Sequence, residues 1–271
     1  MSNLRISAIS FLNTAPLMWD WNHDAAPAGF DIAYEVPSTC AEALRTGRAD
    51  IGIIPSITYQ TIPDLQVLPG IAIAARNPVR SILLVSKVPI ENIRTVALDT
   101  SSRTSVALLR IIFEKWYGGS RESFAMEPAM GPMLARADAG LLIGDAALTV
   151  KPEGLHTYDL AEIWQQHTGK PFVFAFWAVR AAAARPGLAE VFQRSRDHGL
   201  EPGSLEVLAR EWGPKLGLPH DDVVSYLTFN INYDLDERNL SGLRLFYQYA
   251  AEIGAIELVN DLRFSEDFPA V

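Results

Sequence analysis

The chain has 271 residues, 49% hydrophobic and 20% charged, with a formal net charge of -9 and a single cysteine, Cys40. That length predicts about two domains and a core large enough to need no metal or disulfide staple. An acidic balance with no Lys/Arg cluster excludes a nucleic-acid binder, and no apolar run approaches the ~20 residues of a membrane span. The opening residues M-S-N-L-R-I-S-A-I-S carry no secretory pattern, so the expected address is the cytoplasm.

Arg5–Ser10 reads as a strand, followed by a loop and a short helix from about Asn13; Asp31–Val36 reads as a second strand. Pro37-Ser38-Thr39 opens a helix through Leu44, ended by Thr46-Gly47, and Ala49–Ile54 is a third strand with Pro55-Ser56 opening another short helix. This rhythm argues for a parallel α/β layer. Leu65–Ala74 continues extended, Asn77-Pro78 breaks the pattern, and Ser81–Lys87 is a strongly apolar strand. A second α/β run follows. It has a strand near Thr95–Leu98, then a helix from Arg103 to Trp116 with Val106, Leu109, Phe113 and Trp116 on one stripe, stopped by Gly118-Gly119. Another short strand, a Pro128-started helix and a strand at Gly140–Ile143 come next. Pro171–Arg180 is a long extended segment in which Phe172, Phe174 and Phe176 alternate on one face. Beyond Arg185-Pro186-Gly187 the chain turns helical, with breaks at Glu201-Pro202-Gly203, Gly213-Pro214 and Leu218-Pro219. The last amphipathic helix covers Glu237–Ile253, with Leu240, Leu243, Phe246, Tyr247 and Ala250 on its apolar side.

Two α/β runs joined by apolar crossings at Ser81–Lys87 and Phe172–Arg180 predict two lobes, residues 1–85 with 178–271 and residues 86–177. A ligand then sits in the cleft between them, facing strand C-terminal ends and helix N-termini. Four strand-to-helix junctions line that cleft: Ser10-Phe11-Leu12-Asn13-Thr14, Ile54-Pro55-Ser56, Ser101 to Ser105, and Gly144-Asp145-Ala146, with Ser81 at the floor. The third junction is the strongest signal. One hydroxyl suffices to cap a helix, yet Ser101, Ser102, Thr104 and Ser105 surround Arg103 here. A helix N-terminus with unpaired N–H groups, hydroxyls and a guanidinium is a carboxylate or phosphate receptor. The competing reading is simple capping, with Arg103 paired to Asp99 or Asp145. No G-x-x-x-x-G-K run marks a nucleotide P-loop. Asn13 and Asp145 are each either a cap or a substrate contact, and an Asn amide both donates and accepts.

Cys40 lies in the first turn of a helix, which can lower a thiol pKa, but no histidine partners it, so it reads as a small buried side chain. His23, His156, His167, His198 and His220 show neither metal-ligand spacing nor a place at a junction, and no metal site is expected. The phenylalanine stripe reads as core, with Phe172 as a possible ligand contact. Tyr226 and Asn230 are the C-terminal candidates for reaching the cleft.

S-F-L-N-T-A-P, A-D-I-G-I-I-P-S, P-V-R-S-I-L-L-V-S, A-L-D-T-S-S-R-T-S, L-L-I-G-D-A-A-L and T-G-K-P-F-V-F-A-F-W-A, in this order over the first 180 residues, resemble the chorismate dehydratase family of the futalosine route to menaquinone. The resemblance implies an α/β, two-lobed periplasmic-binding-protein type II fold used as an enzyme. It implies chorismate as the small-molecule substrate, with no cofactor, nucleic-acid or membrane partner. It places the catalytic residues on Asn13 and Ser81, and anion binding on Ser101, Ser102, Arg103, Thr104, Ser105, Gly144, Asp145 and Ala146; the junction reading adds Ser10, Thr14 and Ser56 as substrate-binding candidates.

The implied reaction takes the C3 hydrogen and the C4 hydroxyl from the ring, and donors on the ring carboxylate stabilise the dienolate that forms. The motifs hold no obvious general base, which leaves the substrate's own enolpyruvyl carboxylate or Asp145. Two alternatives stand beside this reading: the sister 1,4-dihydroxy-6-naphthoate synthase and a non-catalytic carboxylate sensor, since fold alone does not fix function.

Overall fold

The computed structural model describes residues 3–23 and 26–265. Ten strands run in chain order as β1 (Leu4–Ile9), β2 (Phe30–Glu35), β3 (Ile51–Pro55), β4 (Leu65–Ala75), β5 (Ile82–Ser86), β6 (Thr95–Asp99), β7 (Glu122–Met126), β8 (Ala139–Ile143), β9 (His156–Asp159) and β10 (Phe172–Arg180). They form two five-stranded sheets, ordered β2-β1-β3-β10-β4 and β7-β6-β8-β5-β9. Each sheet pairs three parallel strands with a fourth, antiparallel strand that arrives from the other half of the chain: β10 against β3, and β5 against β8. The register sets Ile82 beside Ile143 and Ala175 beside Pro55, so both antiparallel strands start where their parallel neighbours end. Strand C-terminal ends and the two chain crossings therefore share one cleft.

The central parallel strands β3 and β8 are buried on both faces, which is why Ile51–Pro55 and Ala139–Ile143 read as continuous apolar runs rather than alternating ones. One continuous core joins both sheets through Trp164, Phe172, Phe176 and Phe246. Trp164 and Phe246 meet Phe172 edge to face at 5.3 and 4.9 Å, a geometry worth about 0.5–1.5 kcal/mol per pair beyond area burial. The apolar side of the last helix, Glu237–Glu252, is as the sequence predicts: Leu240, Leu243, Phe246, Tyr247 and Ala250 are all buried. Gly242 in that helix lets Pro171 approach, since a Cβ there would lie 2.0 Å from the Pro171 carbonyl oxygen. Arg110 donates to the Ile253 carbonyl and Lys115 pairs with Glu252, so this helix also binds the helix Thr104–Trp116. That double contact buries Thr104–Trp116 well beyond its one predicted stripe, including Leu108, Ile111 and Ile112.

Three sequence expectations differ from the structure. The limits at 85/86 and 177/178 fall inside β5 and β10, yet each of these strands pairs wholly within one sheet. Arg80 (φ 62°) and Gly169 (φ 67°) turn the chain shortly before β5 and β10 start. β9 was unforeseen: His156-Thr157-Tyr158-Asp159 is a polar edge strand with no apolar alternation. The break expected at Gly213-Pro214 is absent, and a helix covers Pro202–Leu216. Pro214 removes one backbone bond, but it sits in the final turn before Gly217 closes the helix in the left-handed conformation, where the loss costs least.

Candidate functional site

Four helix starts follow the cleft ends of β1, β3, β6 and β8: Leu12–Met18, Ser56–Tyr59, Thr104–Trp116 and Gly144–Leu148. Between them lies a cavity of about 50 Å³ lined by Phe11, Asn13, Ser102, Arg103, Thr104, Ser105, Gly144 and Phe174 together with apolar strand ends. A larger hollow of about 1160 Å³ separates Tyr59–Leu65 from residues 251–263. None of the residues of the four strand-to-helix junctions lines it, so the smaller cavity is the chemical candidate.

The two lobes touch across this cavity through specific bonds. The Leu12 N–H donates to the Asp145 carboxylate at 2.9 Å. The Ile57 N–H donates to Thr104 Oγ1 at 3.2 Å, and Ser56 Oγ lies 3.4 Å from the same oxygen. Oxygens of the second lobe thus hold N–H groups of the first. Gly144 has φ 57°, and a Cβ on it would meet the Phe11 ring at 2.5 Å, so only glycine permits this closure. Its N–H donates to the Ser81 carbonyl at 2.8 Å.

Asn13, Ser81 and Tyr226 form a buried polar group. The Tyr226 hydroxyl donates to Ser81 Oγ at 2.8 Å, and the Asn13 side chain is close enough to influence the same hydroxyl. Thr14 Oγ1 donates to Asn13 Oδ1 at 3.3 Å. Burial pushes the Tyr226 hydroxyl far above its ordinary range, only partly opposed by the neighbouring Ser81 and Asn13 side chains, so it stays protonated. Asp145 is close enough to add to this shift, and burial raises its own carboxyl to about 6, partly offset by the Leu12 N–H.

The other predicted residues divide. Ser102, Arg103, Thr104, Ser105 and Gly144 line the cavity. The Ser102 hydroxyl is buried without a partner among the described residues, so it is a donor in reserve. Arg103 pairs with neither Asp99 nor Asp145; its guanidinium reaches the Thr100 and Ser102 carbonyls and stays exposed. Ser101 turns away, because Asp99 Oδ1 binds both its hydroxyl (2.6 Å) and its N–H (2.9 Å). Ser10 is exposed on the far side, beside the Glu35 carbonyl, and Thr14 faces the same outer groove. Ser56 donates to the Val173 carbonyl at 2.8 Å and stands behind Thr104. Ala146 is absent from the lining.

Phe174, not Phe172, faces the cavity: a register shift between Val173 and Ala175 interrupts the alternation while Phe172 stays in the core. Tyr226 reaches the site, and Asn230 instead donates to the Pro78 carbonyl. Burial pushes the Cys40 thiol up to about 12, which fits an inert core side chain. The histidines lie elsewhere, His23 on Trp19, His167 on Trp116, His198 at Asp20, His220 at Glu206 and His156 in β9.

The sequence pattern of a menaquinone biosynthesis family matches residues 4–252. A chorismate dehydratase of Thermus thermophilus is 30% identical over 255 residues, covering 87% of this chain and 91% of that protein. Among solved structures, a protein of Archaeoglobus fulgidus superposes with a TM-score of 0.75 at 18% identity, covering 94% of this chain and 98% of its own. The periplasmic aliphatic sulphonate binding protein of Escherichia coli gives 0.66 at 15% identity, covering 100% and 96%. These likenesses establish the two-lobed periplasmic-binding-protein fold.

Proposed function

The chain belongs to the menaquinone biosynthesis family, and from that premise we propose that it is a carbon–oxygen lyase removing one water from chorismate to give 3-[(1-carboxyvinyl)oxy]benzoate. The observation that carries this reading is the convergence of Asn13 and Ser81 on one buried hydroxyl beside a cavity whose lining holds Arg103, Ser102 and the start of a thirteen-residue helix, but no acid, histidine or cysteine. As lobes we propose residues 3–80 with 171–265, and residues 81–170. The proposed address is the cytoplasm, where a buried lone thiol stays reduced.

The ring carboxylate of chorismate suits the N-terminus of Thr104–Trp116, with Ser102 and Arg103 as added donors. Removing the C3 proton sends that electron pair through the ring double bond onto this carboxylate. The donors are stronger toward the dienolate than toward the ground state, which is the condition for catalysis. The pair then returns to form the C3–C4 double bond, hydroxide leaves C4, and the ring becomes aromatic. The substrate's own conjugated carboxylate is the electron sink and the arene the driving force, so the reaction as proposed calls for no metal or organic cofactor.

The enolpyruvyl carboxylate of the substrate takes the C3 proton. Asn13 orients that carboxylate, and Ser81 donates to the departing hydroxyl. Asp145 as base is the second reading, favoured by its raised carboxyl; against it, that carboxylate is bound to the Leu12 N–H outside the cavity lining. About 50 Å³ holds one or two waters rather than a ten-carbon diacid. The lobes must part to admit substrate and close on it, with the Leu12–Asp145 and Ile57–Thr104 bonds yielding.

Asn13→Ala and Ser81→Ala should each lower turnover by about 100-fold or more. A chorismate analogue lacking the enolpyruvyl carboxylate should bind and remain unchanged. Brisk turnover of that analogue would contradict the substrate-assisted step, and unchanged turnover in both variants would contradict the placement of the site.

A further inference from the structure

Tyr226 begins a wide π turn, Tyr226–Asn230, that continues the helix His220–Ser225. Such turns concentrate at functional sites because they displace one side chain from its helical position. This one is pinned to the first crossing. Asn230 Nδ2 donates to the Pro78 carbonyl at 2.8 Å, and Asn232 and Ala74 exchange backbone bonds at 2.8 and 2.9 Å. The anchoring delivers a completely buried phenol to the point where the first lobe meets the start of β5.

Two hydrogen bonds there have a fixed donor. Thr14 Oγ1 donates to Asn13 Oδ1, Tyr226 Oη donates to Ser81 Oγ, and the Asn13 side chain lies close to the Tyr226 hydroxyl between them. Each donor is committed, so Ser81 is the acceptor from Tyr226 and retains its own proton for a further partner. Among the described residues no oxygen accepts that proton. A chain of aligned hydroxyls also polarises its last donor. Ser81 is followed by the cavity-lining Ile82, and its carbonyl holds the N–H of the cavity-lining Gly144.

We propose that Tyr226 is a positioning residue, whose hydroxyl aligns Asn13 with Ser81 across the two lobes and fixes Ser81 as a hydrogen-bond donor toward the substrate hydroxyl that leaves. The proposal rests on the reading of Asn13 and Ser81 as the residues that meet substrate. Tyr226 itself neither gives nor takes the reacting proton; burial keeps it a neutral donor throughout. Without it, Asn13 and Ser81 rotate independently, and Ser81 can turn its proton to some other acceptor.

The test is Tyr226→Phe, with Tyr233→Phe as control. Tyr233 is also a buried tyrosine, but its hydroxyl has no partner among the described residues. Tyr226→Phe should lower kcat by about ten- to a hundredfold, the range set by small misplacements of reacting groups, with KM within about threefold. Tyr233→Phe should keep kcat. In a Ser81→Ala background, with residual turnover followed by mass over long incubations, Tyr226→Phe should add little further loss.

A Tyr226→Phe protein that melts like wild type and keeps kcat within about twofold would overturn the proposal, as would a loss that adds in full to that of Ser81→Ala. Should wild-type protein leave chorismate intact, the proposed activity fails and the relay is judged separately. Carbon-13 at the tyrosine Cζ then reports the bond: a Tyr226 resonance displaced in Ser81→Ala supports the relay, and an unmoved one overturns it.

Discussion

Asp145→Asn separates two roles of one carboxyl, because the structure gives a different magnitude for each. Burial raises this carboxyl from 3.8 to about 6 while the Leu12 N–H holds its oxygen. Between those values the folded chain carries a proton that the unfolded chain has lost. Stability from this group is therefore fully present below about pH 4, declines as pH rises through 6, and is level above. The charged form costs about 3 kcal/mol at neutral pH, at about 1.4 kcal/mol per pKa unit. Asparagine keeps an oxygen for Leu12 and removes the charge. The variant should melt within a degree or so of wild type near pH 4 and about 6 °C higher near pH 8, using ~2 °C per kcal/mol for a chain of this size. Thermal melts at both pH values make the comparison. A difference that does not change with pH, or a variant less stable near pH 8, would refute the assignment of the raised carboxyl to desolvation. Turnover of the same protein addresses the base. Near-normal kcat follows from proton removal by the substrate's own carboxylate, whereas a loss of about 100-fold or more would make Asp145 the base.

Gly144→Ala should hold the lobes apart. The new methyl would meet Phe11 at 2.5 Å on a backbone with φ 57°, so turnover should fall by about tenfold or more, and Phe11→Ala in the same chain should restore part of it. Unchanged turnover in Gly144→Ala would mean that closure is not required. Arg103→Ala should weaken substrate affinity by about 1.5–3 kcal/mol, read as KM, with kcat little changed; unchanged KM would leave Arg103 as a scaffold for the Thr100 and Ser102 carbonyls. Cys40, with its thiol raised to about 12, should resist alkylation by iodoacetamide in folded protein and react on unfolding. Rapid labelling of the native protein would contradict its burial.

The architecture was legible because strand and helix starts are written locally. Ile51–Pro55 followed by Ser56, and Ala139–Ile143 followed by Gly144, announce strand-to-helix junctions in a few residues each. The direction of side chains at those junctions was less legible. Asp99-Thr100-Ser101 contains the Asx-turn spacing that turns Ser101 inward, a signal present in the sequence but masked by the surrounding hydroxyls. Ser10 and Thr14 flank Asn13 closely, yet Ser10 continues the β1 pairing to Glu35 and the buried Thr14 turns its hydroxyl back to Asn13, so neither lines the cavity. Tyr226 was visible only as a polar aromatic residue in V-V-S-Y-L-T-F-N; its partner Ser81 stands 145 residues earlier, and no local periodicity encodes that meeting. Pro214 is the opposite case: a strong local breaker that the helix accommodates because it sits in the final turn.

Chorismate incubated with the purified wild-type chain, in buffer containing a chelator and no added cofactor, tests the central claim most directly. The product is followed by mass and ultraviolet absorbance. Loss of one water, with the absorbance of an aromatic benzoate ether, is the predicted result. Chorismate recovered intact from folded protein that binds it would contradict the account and leave a carboxylate-binding module on the same fold.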